Sequence, residues 1–119
     1  MRRRDADPPV SPFLPLTPAI LHILLALADE DRHGYAIMQE VARLTDGAIR
    51  MGPGTLYGTI KRMLGAGLIE EADERPDPAL DDERRRYYRA TRLGLRVLKA
   101  ETARMVSLVS AARAKKVTP

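Results

Sequence analysis

The chain has 119 residues, enough for about one domain on a scale of roughly 100–200 residues each, and its 45% hydrophobic content includes one Phe, four Tyr and no Trp. Its core must be aliphatic, which favours packed helices over an aromatic-rich β-sandwich, and the lack of cysteine excludes disulfides, thiolate nucleophiles and thiolate metal sites. The net charge of +4 says less than its distribution, because residues 70 to 83 hold eight acids against Arg75 alone, while residues 84 to 96 hold six arginines and no acid.

Residues 1 to 16 read as a flexible, basic, proline-rich arm. Arg2, Arg3 and Arg4 are either a solvated tail or contacts to phosphates beside a main site. Together with the apolar run at 19 to 28 they loosely imitate a secretory signal. Asp5, Asp7 and prolines at 8, 9, 12, 15 and 18 argue against export. No apolar run approaches the ~20 residues of a membrane span, so a cytoplasmic protein with no membrane partner is expected.

Thr17 can cap a first helix with Pro18 at its first position. Ala19, Ile20, Leu21, Ile23, Leu24, Leu25, Leu27 and Ala28 leave it almost no polar face, so burial on most sides is expected. His22 fits a partly buried histidine bonded to the backbone better than a ligand, since no carboxylate or second histidine stands at metal-type spacing. After His33-Gly34-Tyr35, a second helix shows Ile37, Val41 and Leu44 on one side and Gln39, Glu40 and Arg43 on the other. Gly47 suits a left-handed stop. A short extended piece at 48 to 51 leads to Gly52-Pro53-Gly54, which fixes the entry angle of the next helix and lets its backbone approach a phosphate.

The third helix, opening near Thr55, places Leu56, Ile60, Met63 and Leu64 on one face. Its other side carries Thr55, Gly58, Lys61 and Arg62, with Tyr57 at the margin and no carboxylate, as suits close approach to a polyanion. Lys61 and Arg62 supply charge, and Thr55 and Tyr57 can hydrogen-bond phosphates or base edges. Arg62 can instead lay its stem along the domain, and Tyr57 can instead complete the core.

Gly65 and Gly67 bracket a stop. Residues 68 to 72 then read as a strand and 86 to 91 as its hairpin partner, joined by an acidic loop from Arg75 to Glu83. The acids of this loop would repel phosphates. Arg84, Arg85 and Arg86 at its far edge are phosphate contacts or partners of the neighbouring acids.

Thr91 can cap a helix over residues 92 to 115, on which Leu95, Leu98, Thr102, Met105, Val109 and Ala112 repeat at alternating spacings of three and four. At roughly 35 Å, it outreaches the core of so small a domain, which argues for a twofold dimer interface. The expected fold is mainly α with a small β-hairpin: a winged helix-turn-helix over 17 to 91, a C-terminal dimerisation helix over 92 to 115 and a tail over 116 to 119.

HGY at 33 to 35, PGTLYGTIKRM at 53 to 63, AGLI at 66 to 69 and RRYYRAT at 85 to 91 together resemble the PadR family of bacterial transcriptional regulators, over roughly residues 17 to 115. The resemblance implies a winged-helix domain that binds double-stranded DNA, a C-terminal dimerisation helix, and repression relieved by a small molecule. It also implies that Gly54, Thr55, Tyr57 and Lys61 approach the operator. The DNA-facing set is then Tyr35, Gly54, Thr55, Tyr57, Lys61 and Arg62, with Arg84, Arg85 and Arg86 behind the wing. The wing departs from the family's compact, basic, glycine-containing tip.

A homodimer would read a pseudo-palindrome, and an effector pocket is expected near Ile20, Met105 and Val109. No metal or cofactor is expected. The alternative is a winged-helix adaptor for an acidic protein partner. Enzyme function is disfavoured because recognisable nucleophile, metal and phosphate-loop motifs are missing.

Overall fold

The computed structural model describes residues 7 to 72 and 86 to 119. Helix α1 spans Pro18–Ala26, and the Thr17 hydroxyl accepts a hydrogen bond from the Ile20 amide at 3.3 Å. Ile23, Leu24 and Ala26 are buried, but Leu25 is 40% exposed, so burial of α1 is less complete than its apolar composition suggests. The His22 Nδ1–H donates to the Pro18 carbonyl at 2.7 Å, which satisfies the ring within the helix itself.

Strand β1, Arg32–His33, leads directly into α2, Gly34–Leu44. His33 caps that helix, its Nδ1 accepting from the Ala36 amide at 3.2 Å. Beyond the Thr45 cap, Asp46 and Gly47 both take left-handed backbone at φ 56° and 81°. Gly47 is thus left-handed as expected, but three residues past the last helical position. The Thr45 hydroxyl stitches this turn, donating to the Val41 carbonyl at 2.9 Å and accepting from the Ile49 amide at 3.0 Å.

Helix α3 is Pro53–Ala66, two residues longer at its start than the sequence suggests because Pro53 takes the first helical position. Leu56, Ile60 and Met63 are buried with Ile37, Val41 and α1, and Leu64 packs at the edge. Gly67, left-handed at φ 78°, ends the helix.

Strand β2, Ile69–Glu71, pairs antiparallel with β3, Tyr87–Ala90, in the register Ile69↔Ala90. The expected two-stranded ribbon gains a third member, because β1 pairs with the other edge of β3 through Arg32↔Tyr88 and His33↔Tyr87. A two-residue strand is too short to show alternation in a sequence.

Helix α4, Arg92–Ala114, is tied to this sheet at its first turn. The Thr91 hydroxyl accepts from the Gly94 amide at 3.0 Å and donates to the Gly67 carbonyl at 2.6 Å. Gly94 lies against the Leu68 backbone, where an added Cβ would collide with the carbonyl oxygen and come within 3.0 Å of its carbon. Val97, Leu98 and Glu101 of α4 are buried in the domain. Leu98, one of the expected seam residues, is 7% exposed and packs in the core of its own domain. Further along, Val106, Leu108 and Val109 are 68%, 56% and 45% exposed, while Met105 and Ala112 are half-buried. Among the described residues no helix is long and apolar enough to cross a membrane.

The expectation of a free arm to residue 16 also needs correction. From Asp7 onward the segment is strapped along α4: Arg92 pairs with Asp7 at 3.3 Å and Arg96 donates to the Pro8 carbonyl at 2.8 Å. Val10, Phe13, Leu14 and Leu16 pack against the core, apolar content that the prolines and charges obscured. The Leu16 amide donates to buried Glu101 at 3.0 Å. The hydrogen bond from Arg104, at 2.7 Å, and that amide hold the Glu101 carboxyl below the ordinary carboxylate range against the opposing effect of burial. Arg2, Arg3 and Arg4 lie outside the described residues.

Candidate nucleic-acid interface

The face of α3 turned away from the core alternates glycines with a few polar side chains and carries no acid. Gly54, Thr55, Lys61, Arg62 and Gly65 are exposed, and a Cβ added at Gly54, Gly58 or Gly65 would meet nothing within 4 Å. Glycine in a helix interior is worse than alanine by about 1 kcal/mol, so Gly58 brings the fold a penalty with no packing return inside this chain. The amino end of the helix has no side-chain cap and no acid in its first turn. Its exposed N–H groups and positive dipole end favour an anion.

Charge is segregated to match. The stretch from residue 47 to 69 contains Arg50, Lys61 and Arg62 and no acid. Among the described residues Lys61 and Arg50 have no acidic partner, and Arg62 Nη2 donates only to the Thr59 hydroxyl at 3.3 Å, lying back along its own helix. The carboxylates gather elsewhere with arginines of their own. Glu40 binds Arg43 at 2.7 Å, which holds its carboxyl below the ordinary range, and Arg32 lies 3.4 Å from Asp29. Arg89 reaches Glu70 at 2.9 Å and Asp31 at 3.8 Å.

The remaining expected site residues divide. Tyr57 is half-buried with its ring end over Gly34, where an added Cβ would lie 2.7 Å from Cζ. Of the two readings of this tyrosine, the position supports packing. The same contact accounts for the glycine of HGY. Tyr35, at the start of α2, is 51% exposed. Arg86 lies 3.9 Å from Glu71 with both side chains about half exposed, a pair too weak to sequester the guanidinium. Arg84, Arg85 and the acidic loop from Arg75 to Glu83 lie outside the described residues.

Of the seam positions, Leu95, Thr102 and Val109 are exposed, Met105 and Ala112 half-buried. Ile20 packs against the domain core. Among the described residues one open cleft of about 340 Å³ lies between the strap and α4 and another of about 220 Å³ beside α2, and Ile20, Met105 and Val109 line neither of them. Among the described residues no group of three or more His, Asp or Glu could hold a metal ion. Arg50 escaped the sequence reading because it stands alone in a connection without a motif. The acid-free run around it was the available signal.

Residues 21 to 100 match the family model described as the transcriptional regulator PadR-like family. The chain belongs to the PadR-like family. A transcriptional regulator of Mycobacterium tuberculosis is 39% identical over 74 residues, covering 62% of this chain and 63% of that protein. The chain thus spans just under two thirds of that relative's length. Among solved structures, a transcriptional regulator from Clostridium thermocellum is 26% identical with a TM-score of 0.63, over 83% of this chain and 92% of that one. A PadR family regulator from Eggerthella lenta is 27% identical with a TM-score of 0.62, over 84% and 82% of the two chains. The PadR-like fold here is therefore a winged helix-turn-helix with a three-stranded sheet and a C-terminal helix.

Proposed function

We propose that this PadR-like chain is a DNA-binding transcriptional repressor that reads a pseudo-palindromic operator as a homodimer and is released by a small molecule. The observation that carries the DNA reading is the outer face of α3, where Gly54, Gly58 and Gly65 leave the backbone bare beside Thr55 and Lys61, which has no acidic partner among the described residues. Such a face allows main chain and short side chains to come close to base edges, while Lys61 and Arg62 meet the polyanion. Tyr35 and Arg86 flank it as phosphate contacts, and Tyr57 acts by holding α3 on α2.

The dimer reading rests on Val106, Leu108 and Val109, exposed apolar residues on a helix roughly 34 Å long. Pairing of two such helices would set two copies of α3 about one DNA turn, roughly 34 Å, apart. An effector near Ile20, Met105 and Val109 would act by preferring one dimer geometry over the other, changing the spacing or tilt of the reading helices.

Selection of bound sequences from a genomic DNA pool, with light scattering of the free protein at micromolar concentration, tests these points together. The expected result is an enriched inverted repeat with half-sites about 10 base pairs apart and a dimer mass. Enrichment of no sequence would overturn the operator reading and favour the adaptor, and a monomer mass would remove the basis for the repeat.

A further inference from the structure

The turn at Asp46 and Gly47 folds the connection over residues 48 to 51 back against the outer side of α2, and a cleft of about 220 Å³ lies between them. Met38, Ala42 and Met51 form its apolar surface, and Tyr35, Gln39 and Arg50 bring a phenol, an amide and a guanidinium to it. Arg50 folds toward the turn: a Cβ on Gly47 would lie 3.0 Å from its Nη2. Its charge has no acidic partner among the described residues, whereas Arg43 on the same helix α2 is held by Glu40 at 2.7 Å. The cleft is smaller than the ~300–1,000 Å³ typical of pockets that enclose a whole drug-sized ligand. It suits one small group that is apolar on one side and anionic on the other.

A sugar-phosphate unit of DNA has that character. Its deoxyribose C–H surface can rest on the methionine thioethers, and its phosphate oxygens can accept from Arg50, Gln39 and the Tyr35 hydroxyl. Location favours the same occupant. Tyr35 belongs to the first turn of α2, and Arg50 stands two residues before Gly52, which opens α3.

Resting on the DNA-binding reading above, we propose that this cleft seats one backbone phosphate and its sugar immediately beside the groove that α3 enters, making Arg50 and Gln39 positioning contacts of the operator complex. A phosphate clamp of this kind fixes the register of the reading helix and carries no sequence information itself.

The test uses the full chain and the DNA enriched by selection, with binding measured over a range of salt for wild type, Arg50→Ala, Arg50→Gln, Gln39→Ala and Lys61→Ala. Arg50 and Gln39 are exposed, so the folded state of these variants is expected to persist and is verified by thermal melting. Arg50→Ala should weaken binding about tenfold, by the same factor on operator and scrambled duplex, with the salt slope reduced by about 1. A duplex series with single methylphosphonate substitutions should show one sensitive phosphate per half-site, and Arg50→Gln should erase that sensitivity. Wild-type affinity and slope in Arg50→Ala, with Lys61→Ala impaired, would overturn the clamp while leaving the DNA reading intact. A loss confined to the operator duplex would overturn it in favour of a base contact. Failure of the wild type to bind any DNA would overturn the DNA reading and the clamp with it.

Discussion

The outer face of α3 and the distal half of α4 are both helix surfaces over which the described residues of this chain lay little, yet their chemistry is opposite. On α3 the uncovered positions are Gly54, Gly58, Gly65, Thr55, Lys61 and Arg62; on α4 they are Val106, Leu108 and Val109. An exposed face free of acids, in which glycines stand beside two cations, invites a charged, grooved partner, and an exposed aliphatic one invites another aliphatic face. Exposure alone would rank the two surfaces together. On the function proposed above, their composition suits one to DNA and the other to a second copy of the chain.

The largest expected effect comes from breaking the apolar side. Leu108→Glu combined with Val109→Glu should convert the dimer to a monomer in light scattering, with melting of the winged domain little changed. Operator affinity should fall by roughly 10²–10⁴, the factor that two linked sites gain over one. Loss of affinity without loss of the dimer would show that the comparison assigns this face wrongly.

On the α3 side, Lys61→Ala should weaken operator binding about tenfold, corresponding to ~1.4 kcal/mol, and leave the proposed dimer intact. Gly58→Ala is the more discriminating change, because it separates stability from binding. With open space around the new methyl, it should stabilise the fold by about 1 kcal/mol while obstructing close approach to DNA. A variant that melts higher and binds as well as wild type would remove the case for a bare reading face.

The smallest effect concerns the joint between the two regions. Glu101 has a carboxyl pKa below its ordinary value of 4.5 through Arg104 and the Leu16 amide. Its contribution to stability is therefore fully present above the ordinary carboxylate pKa and is lost as pH falls through the lowered, folded-state value. Melting temperature should drop between about pH 5 and 3, and Glu101→Gln should flatten part of that drop, starting from a lower melting temperature at pH 7. An unchanged acid profile in the variant would assign the drop to other carboxylates such as Glu40, whose pKa is also lowered.

Helix periodicity and caps exposed the scaffold before any coordinates. Leu56, Ile60 and Met63 share a face because they are spaced for one, and Thr17, Gly67 and Thr91 stand where helix ends need them. Less legible were features set by distant contacts. Strand β1 has two residues and exists because β3 offers an open edge. The docking of residues 7 to 16 draws on Glu101, which in the sequence is a single acid on an otherwise basic helix. Leu98 fits the heptad spacing as well as its neighbours do, and only its depth beside Val97 shows that it packs in the core of its own domain. Tyr57 sits at a helix margin, where a wheel cannot distinguish a base contact from a packing ring.

The contact of Tyr57 with Gly34 has a mechanical consequence. With an aromatic ring seated where a Cβ would otherwise stand, and Gly34 buried, α2 and α3 cannot pivot against each other without expelling the ring. The reading helix and its support behave as one lever, so Tyr35, Arg50 and Lys61 travel together. Any switch that disengages them must bend the chain elsewhere, between this pair and the long helix α4, which in the proposed dimer would set the distance to a second copy.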